Sequence, residues 1–219
     1  MITLYYGSGS PYAWRVQLAL EAKGLPYDRK VLSFANNDTR KPEFVALNPR
    51  HRVPTIVDGG FTLYESNAIV EYLDEAYKGH GTTLFPGDAK KRATVRRLIS
   101  EVDGYTTEAV DTVVDRLLGV KPEERDAAKI DEARAAMAEE LAFMARYVEG
   151  EFLVGPLSAA DFALYPSVAF MYRCQQRVPT FDAASLVPPA LMAWKHRVEA
   201  LPYLDKTYPP HWREGAPRG

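Results

Sequence analysis

A single cysteine, Cys174, stands in a chain of 219 residues. One thiol excludes an internal disulfide, fits a reducing compartment, and reads as a small buried hydrophobe. No apolar run approaches the ~20 residues needed to span a bilayer, and no charged-then-apolar leader opens the sequence, so a cytoplasmic protein with no membrane partner is expected. Charge of one sign is not in excess either, with 27 Lys and Arg against 29 Asp and Glu and a net charge of -2. A long basic arm for nucleic acid is therefore missing. The clusters Lys90-Lys91-Arg92 and Arg96-Arg97 carry helix-type apolar spacing and read as a solvated or interface helix face. Neither H-E-x-x-H nor a Cys/His cluster occurs, so no metal is expected, and Gly7-Ser8-Gly9 lacks the third glycine and the spacing of a phosphate-binding loop.

What is present is an ordinary globular composition, 47% hydrophobic and 26% charged, at a length that allows one large domain or two smaller ones. The first 77 residues alternate strand and helix signals. Ile2 to Tyr6 is β-type; Gly7 to Pro11 breaks it; Tyr12 to Lys23 is helical and stops at Gly24; Val31 and Leu32 fall in a second strand. A short helix over Lys41 to Leu47 closes at Asn48-Pro49. Thr55-Ile56-Val57 and Phe61 to Tyr64, joined by Asp58-Gly59-Gly60, form a hairpin, and the next helix runs over Ser66 to Tyr77. Val53-Pro54 at the mouth of that hairpin reads as a cis or edge-strand proline beside backbone left unpaired. Ser66 reads as an N-cap, and a helix N-terminus there is suited to a carboxylate.

Gly79 to Gly87 is a turn-rich linker, beyond which the pattern is helical: one long helix over Asp88 to about Leu118 and another over Pro122 to Val148. Phe152 to Phe162 then contains Ser158 and Asp161 at N-cap and N3, a capping box with Asp for Glu, flanked by Leu157 and Phe162 at staple positions. The tail from Tyr208 to Gly219 reads as loop, ordered where Trp212 docks.

The order βαβ, α, ββα is that of an α/β thioredoxin-like domain, here over about 1 to 78, followed by an all-α helical-bundle domain over about 88 to 210. A dithiol redox site at the first helix would read Cys-x-x-Cys; Ser10 and Ala13 stand there and exclude it. The pieces SPYAWRVQLAL, NPRHRVPTIVDG and ESNAIVEYL, in this order and spacing, together with the capping segment around Ser158, resemble the cytosolic glutathione transferases. The loop is most similar to serine-type, theta- or zeta-like, bacterial-type members. It also aligns with an omega-type Cys-Pro-Phe-Ala in which serine replaces cysteine.

The resemblance implies glutathione as cosubstrate, a small hydrophobic electrophile as the second reactant, a homodimer, and no metal. Ser10 is implied as the catalytic hydroxyl that donates a hydrogen bond to the bound sulfur; Ser8, two residues upstream, competes, and a plain N-cap is the other reading of Ser10. Val53 is implied to pair its backbone with the cysteinyl part beside a cis Pro54. Glu65 is implied to face the γ-glutamyl amine and Ser66 its carboxylate. Arg52 is implied near the glycyl carboxylate, with Arg40, Lys41 or His51 assisting. Tyr12 and Tyr105 are implied to line the second-substrate pocket between the domains, with Tyr165, Phe170 and Tyr172 as further aromatics and Trp212 as a lid; at helical spacing, core is the other reading of these rings. Three other functions remain open on the sequence: a glutathione-dependent isomerase suggested by Trp14-Arg15-Val16, a dehalogenase, and a non-catalytic glutathione-binding interaction protein.

Overall fold

β1 (Ile2–Tyr6) forms from a Thr-, Leu- and Tyr-rich run whose alternate residues Ile2 and Leu4 are buried. It pairs in parallel with β2 (Tyr27–Val31) and antiparallel with β3 (Thr55–Asp58), which pairs antiparallel with β4 (Phe61–Tyr64), giving the order β2-β1-β3-β4. The parallel pair requires a crossover, supplied by α1 (Pro11–Ala22). Between β2 and β3 lies the short α2 (Pro42–Val45), and α3 (Ser66–Ala76) comes after β4. Leu4 is opposite Ile56, and both are buried with Val16, Leu18, Leu20, Ile69 and Leu73 of α1 and α3. Tyr5, one residue along and so on the other face, meets Phe44 of α2 with ring centroids 6.0 Å apart.

The computed structural model describes residues 1–213; the end of the segment whose sequence reads as loop, 214–219, lies outside the described residues. Two units emerge, Met1–Phe85 with the segment from Pro202 onward, and Pro86–Leu201. The sequence carries the helical domain to about 210, yet α9 (Leu204–Thr207) and the tail beyond it group with the first unit. The reason is local: the indole N–H of Trp14 on α1 donates to Thr207 Oγ1 at 2.8 Å, and Lys206 Nζ lies 3.5 Å from Glu21.

The turn-rich 79–87 stretch is pinned rather than loose. Asp74 of α3 accepts the Leu84 and Phe85 N–H groups at 2.9 and 3.2 Å and pairs with the buried Lys23 ammonium at 3.0 Å. Thr82 N–H donates to the Ala22 carbonyl at 2.9 Å. Gly81 makes this approach possible, because at its φ of +50° a side chain is strained and a methyl would run into the Ala22 carbonyl oxygen. Gly81→Ala is expected to destabilise the protein by about 1–3 kcal/mol, read as a lower urea midpoint at unchanged slope.

The second unit is helical: α4 (Ala89–Glu101), α5 (Thr107–Leu117), α6 (Ala127–Ala145), α7 (Ala159–Arg177) and α8 (Pro189–Glu199), with a small hairpin of β5 (Val148–Glu149) and β6 (Phe152–Leu153). Asp88 caps α4 through Lys91 N–H at 2.9 Å, and Asp126 caps α6 through Ala128 and Lys129 N–H. That second cap starts α6 at Ala127, so the Pro122 start read from sequence is only a 3-10 turn. The single helix read over 88–118 is interrupted by a π turn, Val102–Thr106. β2 starts earlier than the Val31-Leu32 reading and ends at Val31, because Asp28, Arg29 and Lys30 are exposed and carry no apolar signal. Cys174 is fully buried, and burial pushes its thiol up to about 12, which leaves it unreactive.

In the second unit the Ser158 and Asp161 segment behaves as read. The fully buried Asp161 carboxylate accepts Ser158 N–H at 2.8 Å and the Ser158 hydroxyl at 3.0 Å on Oδ2. On Oδ1 it accepts Leu153 N–H at 2.9 Å and the Trp194 indole N–H at 2.8 Å. One side chain thus joins the hairpin, the start of α7 and α8.

Candidate functional site

Strand register gathers the site residues at one end of the sheet. β1 leaves at Tyr6 into the Gly7–Ser10 loop; Thr55, beside Tyr5, opens β3 just after Val53-Pro54; Tyr64, opposite Thr55, closes β4 just before Glu65 and Ser66. Three segments far apart in sequence therefore meet.

Ser10 is the N-cap of α1, with extended backbone and Pro11 in the first helical turn. Its Oγ accepts Ala13 N–H at 3.4 Å, a long bond that leaves the hydroxyl proton to be donated elsewhere. Ser8 differs: its Oγ lies 3.2 Å from His211 Nδ1 in the tail.

The Val53-Pro54 bond is cis, and Val53 precedes the ladder, which begins at Thr55. This loop is clamped by buried Asn48, whose side-chain amide donates to the Arg52 carbonyl at 2.7 Å and Thr55 Oγ1 at 3.1 Å, while its oxygen accepts Arg50 N–H at 2.9 Å. The Arg52 and His51 side chains are exposed; His51 has φ of 56° and its ring nitrogen Nδ1 lies 3.3 Å from the Thr39 carbonyl. Arg40 is exposed, and Lys41 pairs with Asp38 at 2.6 Å.

The helix α3 starts at Ser66 as read, but the N-cap role read for Ser66 falls to the residue before it. Ser66 is its first helical residue, and Glu65 is the N-cap, making no side-chain cap bond. Glu65 holds φ 71° and ψ 110°, backbone that a non-glycine residue adopts only under constraint and that clusters at ligand clamps. Its carboxylate is exposed, whereas Ser66 is buried. The first-turn N–H groups of this helix have no helical partner by construction, so they and the dipole favour an anion. Beneath them lies Arg15 of α1, 2% exposed, whose Nη1 donates to Asn67 Oδ1 at 2.6 Å and to Ser66 Oγ at 3.4 Å. The charges at the start of α3 are thus the buried Arg15 guanidinium and the exposed Glu65 carboxylate.

Arg15, Asn48 and Asn67 are absent from the sequence-based site. Arg15 could have been found, since a lone charge inside YAWRVQLAL demands a buried partner; Asn48 reads only as a helix end before Pro49. Of the aromatics, Tyr12 is half-buried under the Arg15 guanidinium at 5.1 Å, and Tyr105 is 65% exposed on the π turn. Tyr165 is core, packed on Trp194, and half-buried Tyr172 bonds Met192 and stacks under Lys195; Phe170 is half-buried on α7. Trp212 is buried edge-on against Trp14 with centroids 5.7 Å apart. Among the described residues no group of three or more His, Cys, Asp or Glu is placed to hold a metal ion, and no helix is long and apolar enough to cross a membrane.

Residues 9–76 match the family described as the glutathione S-transferase N-terminal domain, and residues 111–202 the glutathione S-transferase C-terminal domain. The chain is 29% identical to glutathione S-transferase A of the fish Pleuronectes platessa, covering 100% of this chain and 95% of that one. It is 31% identical to glutathione S-transferase D7 of Drosophila melanogaster over 77% of this chain and 74% of that one. A glutathione S-transferase crystal structure from the Antarctic clam Laternula elliptica superposes with a TM-score of 0.82 at 30% identity, covering 98% of this chain and 95% of that one. With both domains matched in order and relatives aligned along nearly the whole length, the protein belongs to the glutathione S-transferase family of transferase enzymes.

Proposed function

We propose that the protein is a serine-type, theta- or zeta-like glutathione transferase that conjugates the glutathione thiolate to small hydrophobic electrophiles. The observation that carries this reading is the pairing of two helix N-termini at one sheet end: α1 with the Ser10 hydroxyl free to donate, and α3 with Ser66 over buried Arg15. The residues fit the ligand's chemistry. Glutathione has two carboxylates, one amine, peptide edges and a thiol. Ser66 and the α3 N–H groups receive the γ-glutamyl carboxylate, Glu65 the amine, the Val53 backbone beside Pro54 the cysteinyl peptide, and Arg52 the glycyl carboxylate.

The bound thiol loses its proton to solvent, the Ser10 hydroxyl donates to the resulting sulfur anion, and that anion attacks the electrophilic carbon as the leaving group departs. Ser10 stays chemically unchanged, so it needs no partner base. Tyr12 and Tyr105 are the aromatic side chains assigned to the electrophile, and the active species is taken as a cytoplasmic homodimer.

Incubating the protein with glutathione and an activated aryl halide tests the reading, alongside calorimetric glutathione binding. Turnover with binding supports it. Binding without turnover would point to the interaction protein, and absence of both binding and turnover would overturn the reading. Glu65→Ala is expected to raise the glutathione Kd by about 10-fold or more, the worth of one charged hydrogen bond at roughly 1.5–3 kcal/mol. Glu65→Gly removes the same carboxylate while suiting the backbone at φ 71°, and an equal loss there assigns the effect to the charge.

A further inference from the structure

We infer that the C-terminal segment braces the Ser10 loop from behind, with His211 as a positioning residue that acts through Ser8. The inference rests on the proposed glutathione reading, because the braced loop is the one that carries the thiol-facing hydroxyl.

The brace is anchored at its base and touches the loop at its tip. At the base, Thr207 takes the Trp14 indole N–H at 2.8 Å, the Lys206 carbonyl accepts from Arg29 Nη1 at 3.4 Å, and the Lys206 ammonium lies 3.5 Å from Glu21. Trp14 then meets Tyr208 and Trp212 edge-on, at 5.5 and 5.7 Å between centroids. A 3-10 turn, Pro210–Trp212, turns His211 and Trp212 back toward Gly9. At the tip, His211 Nδ1 lies 3.2 Å from Ser8 Oγ. Gly9, with φ +85°, presents its bare Cα to both rings; a Cβ there would stand 3.1 Å from the Trp212 ring and 3.2 Å from His211 Cε1. A small open cleft of about 40 Å³, lined by Ser8, Gly9, Trp14, Tyr208 and Pro210 among others, remains between the loop and the tail.

Chain geometry couples the two serines. Ser10 is two residues from Ser8, and its N–H bonds back to the Gly7 carbonyl at 3.1 Å, so the four residues turn as one piece. A displacement of Ser8 is therefore carried to the Ser10 hydroxyl, where an error near 1 Å is enough to weaken a hydrogen bond to sulfur. The role assigned to His211 is to hold the turn through Ser8.

The test titrates the thiolate absorbance of bound glutathione in wild type, His211→Ala, His211→Asn, Ser8→Ala and the His211→Ala/Ser8→Ala double variant, with kcat/KM and glutathione Kd measured alongside. His211→Ala is expected to move the thiol midpoint upward and lower kcat/KM by about 3- to 10-fold near pH 6.5, with Kd within about twofold. Asn, whose amide reaches the Nδ1 position, should restore most of the loss, and the double variant should be no worse than the poorer single one. An unmoved midpoint in His211→Ala, or additive losses in the double variant, would overturn the brace while leaving the transferase reading intact. A wild type that binds no glutathione would overturn both.

Discussion

Ser10→Ala is expected to lower kcat/KM for aryl-halide conjugation by about 10- to 100-fold near neutral pH while leaving glutathione affinity within about threefold. The size comes from the thiol. With an unperturbed pKa of about 8.5, roughly 3% of a thiol is ionised at pH 7, and a downward shift of about 2 units, roughly 2.7 kcal/mol, makes most of it thiolate. The variant keeps the α1 N-terminus and loses only the hydroxyl donor, which sets the range. Stability should change little, because the N-cap bond that alanine removes is already 3.4 Å long. Undiminished turnover in Ser10→Ala, with a larger loss in Ser8→Ala, would transfer the role to Ser8.

Asp161→Ala should cost about 3–6 kcal/mol and abolish soluble folded protein at 37 °C or leave it with a greatly lowered urea midpoint. Three N–H donors, from Ser158, Leu153 and the Trp194 indole, would lose their acceptor in a fully buried place, at about 1–3 kcal/mol each, against a usual total of about 5–15 kcal/mol. Asp161→Asn retains one acceptor oxygen and should recover part of the loss. Burial pushes the Asp161 carboxyl up to about 6 from an ordinary 3.8, against the pull of its four donors toward the ionised form. The folded state then holds the proton more tightly than the unfolded chain, so this group's stabilisation is full below about pH 4 and declines as pH rises to about 6. The wild-type advantage over Asp161→Asn should accordingly be larger near pH 4.5 than near pH 7; an equal advantage at both would show a carboxylate ionised throughout.

How much could be read from the chain depends on the range of the forces involved. The β4 hairpin strand, the stops of the first helix and the Ser158 cap are set by neighbours within a few residues, and each stood where its turn chemistry put it. The expected thioredoxin-like topology and helical second domain are likewise present, because apolar periodicity is local. What escaped is long-range. β2 is a strand because its backbone pairs with β1, while its side chains Asp28, Arg29 and Lys30 are exposed. Arg15 matters through Ser66 and Asn67, 51 and 52 residues away, which no spacing rule links to it. The Ser8–His211 contact spans 203 positions and becomes visible only when the tail returns to the first unit.

The π turn at Val102–Thr106 has a mechanical reading. Buried positions on α4 fall at Val95, Leu98 and Ile99, and on α5 at Thr107, Val110, Val113 and Leu117. Wound at about 100° per residue throughout, the second set would sit roughly 60° out of phase with the first. The wider turn rotates more slowly and takes up that drift, so one apolar stripe runs unbroken through both helices. The slack appears on the outside, where Gly104 and Tyr105 are exposed between buried Val102 and Thr106. The turn is thus a gear with one tooth too many, its excess carried on the outer side of the helix pair.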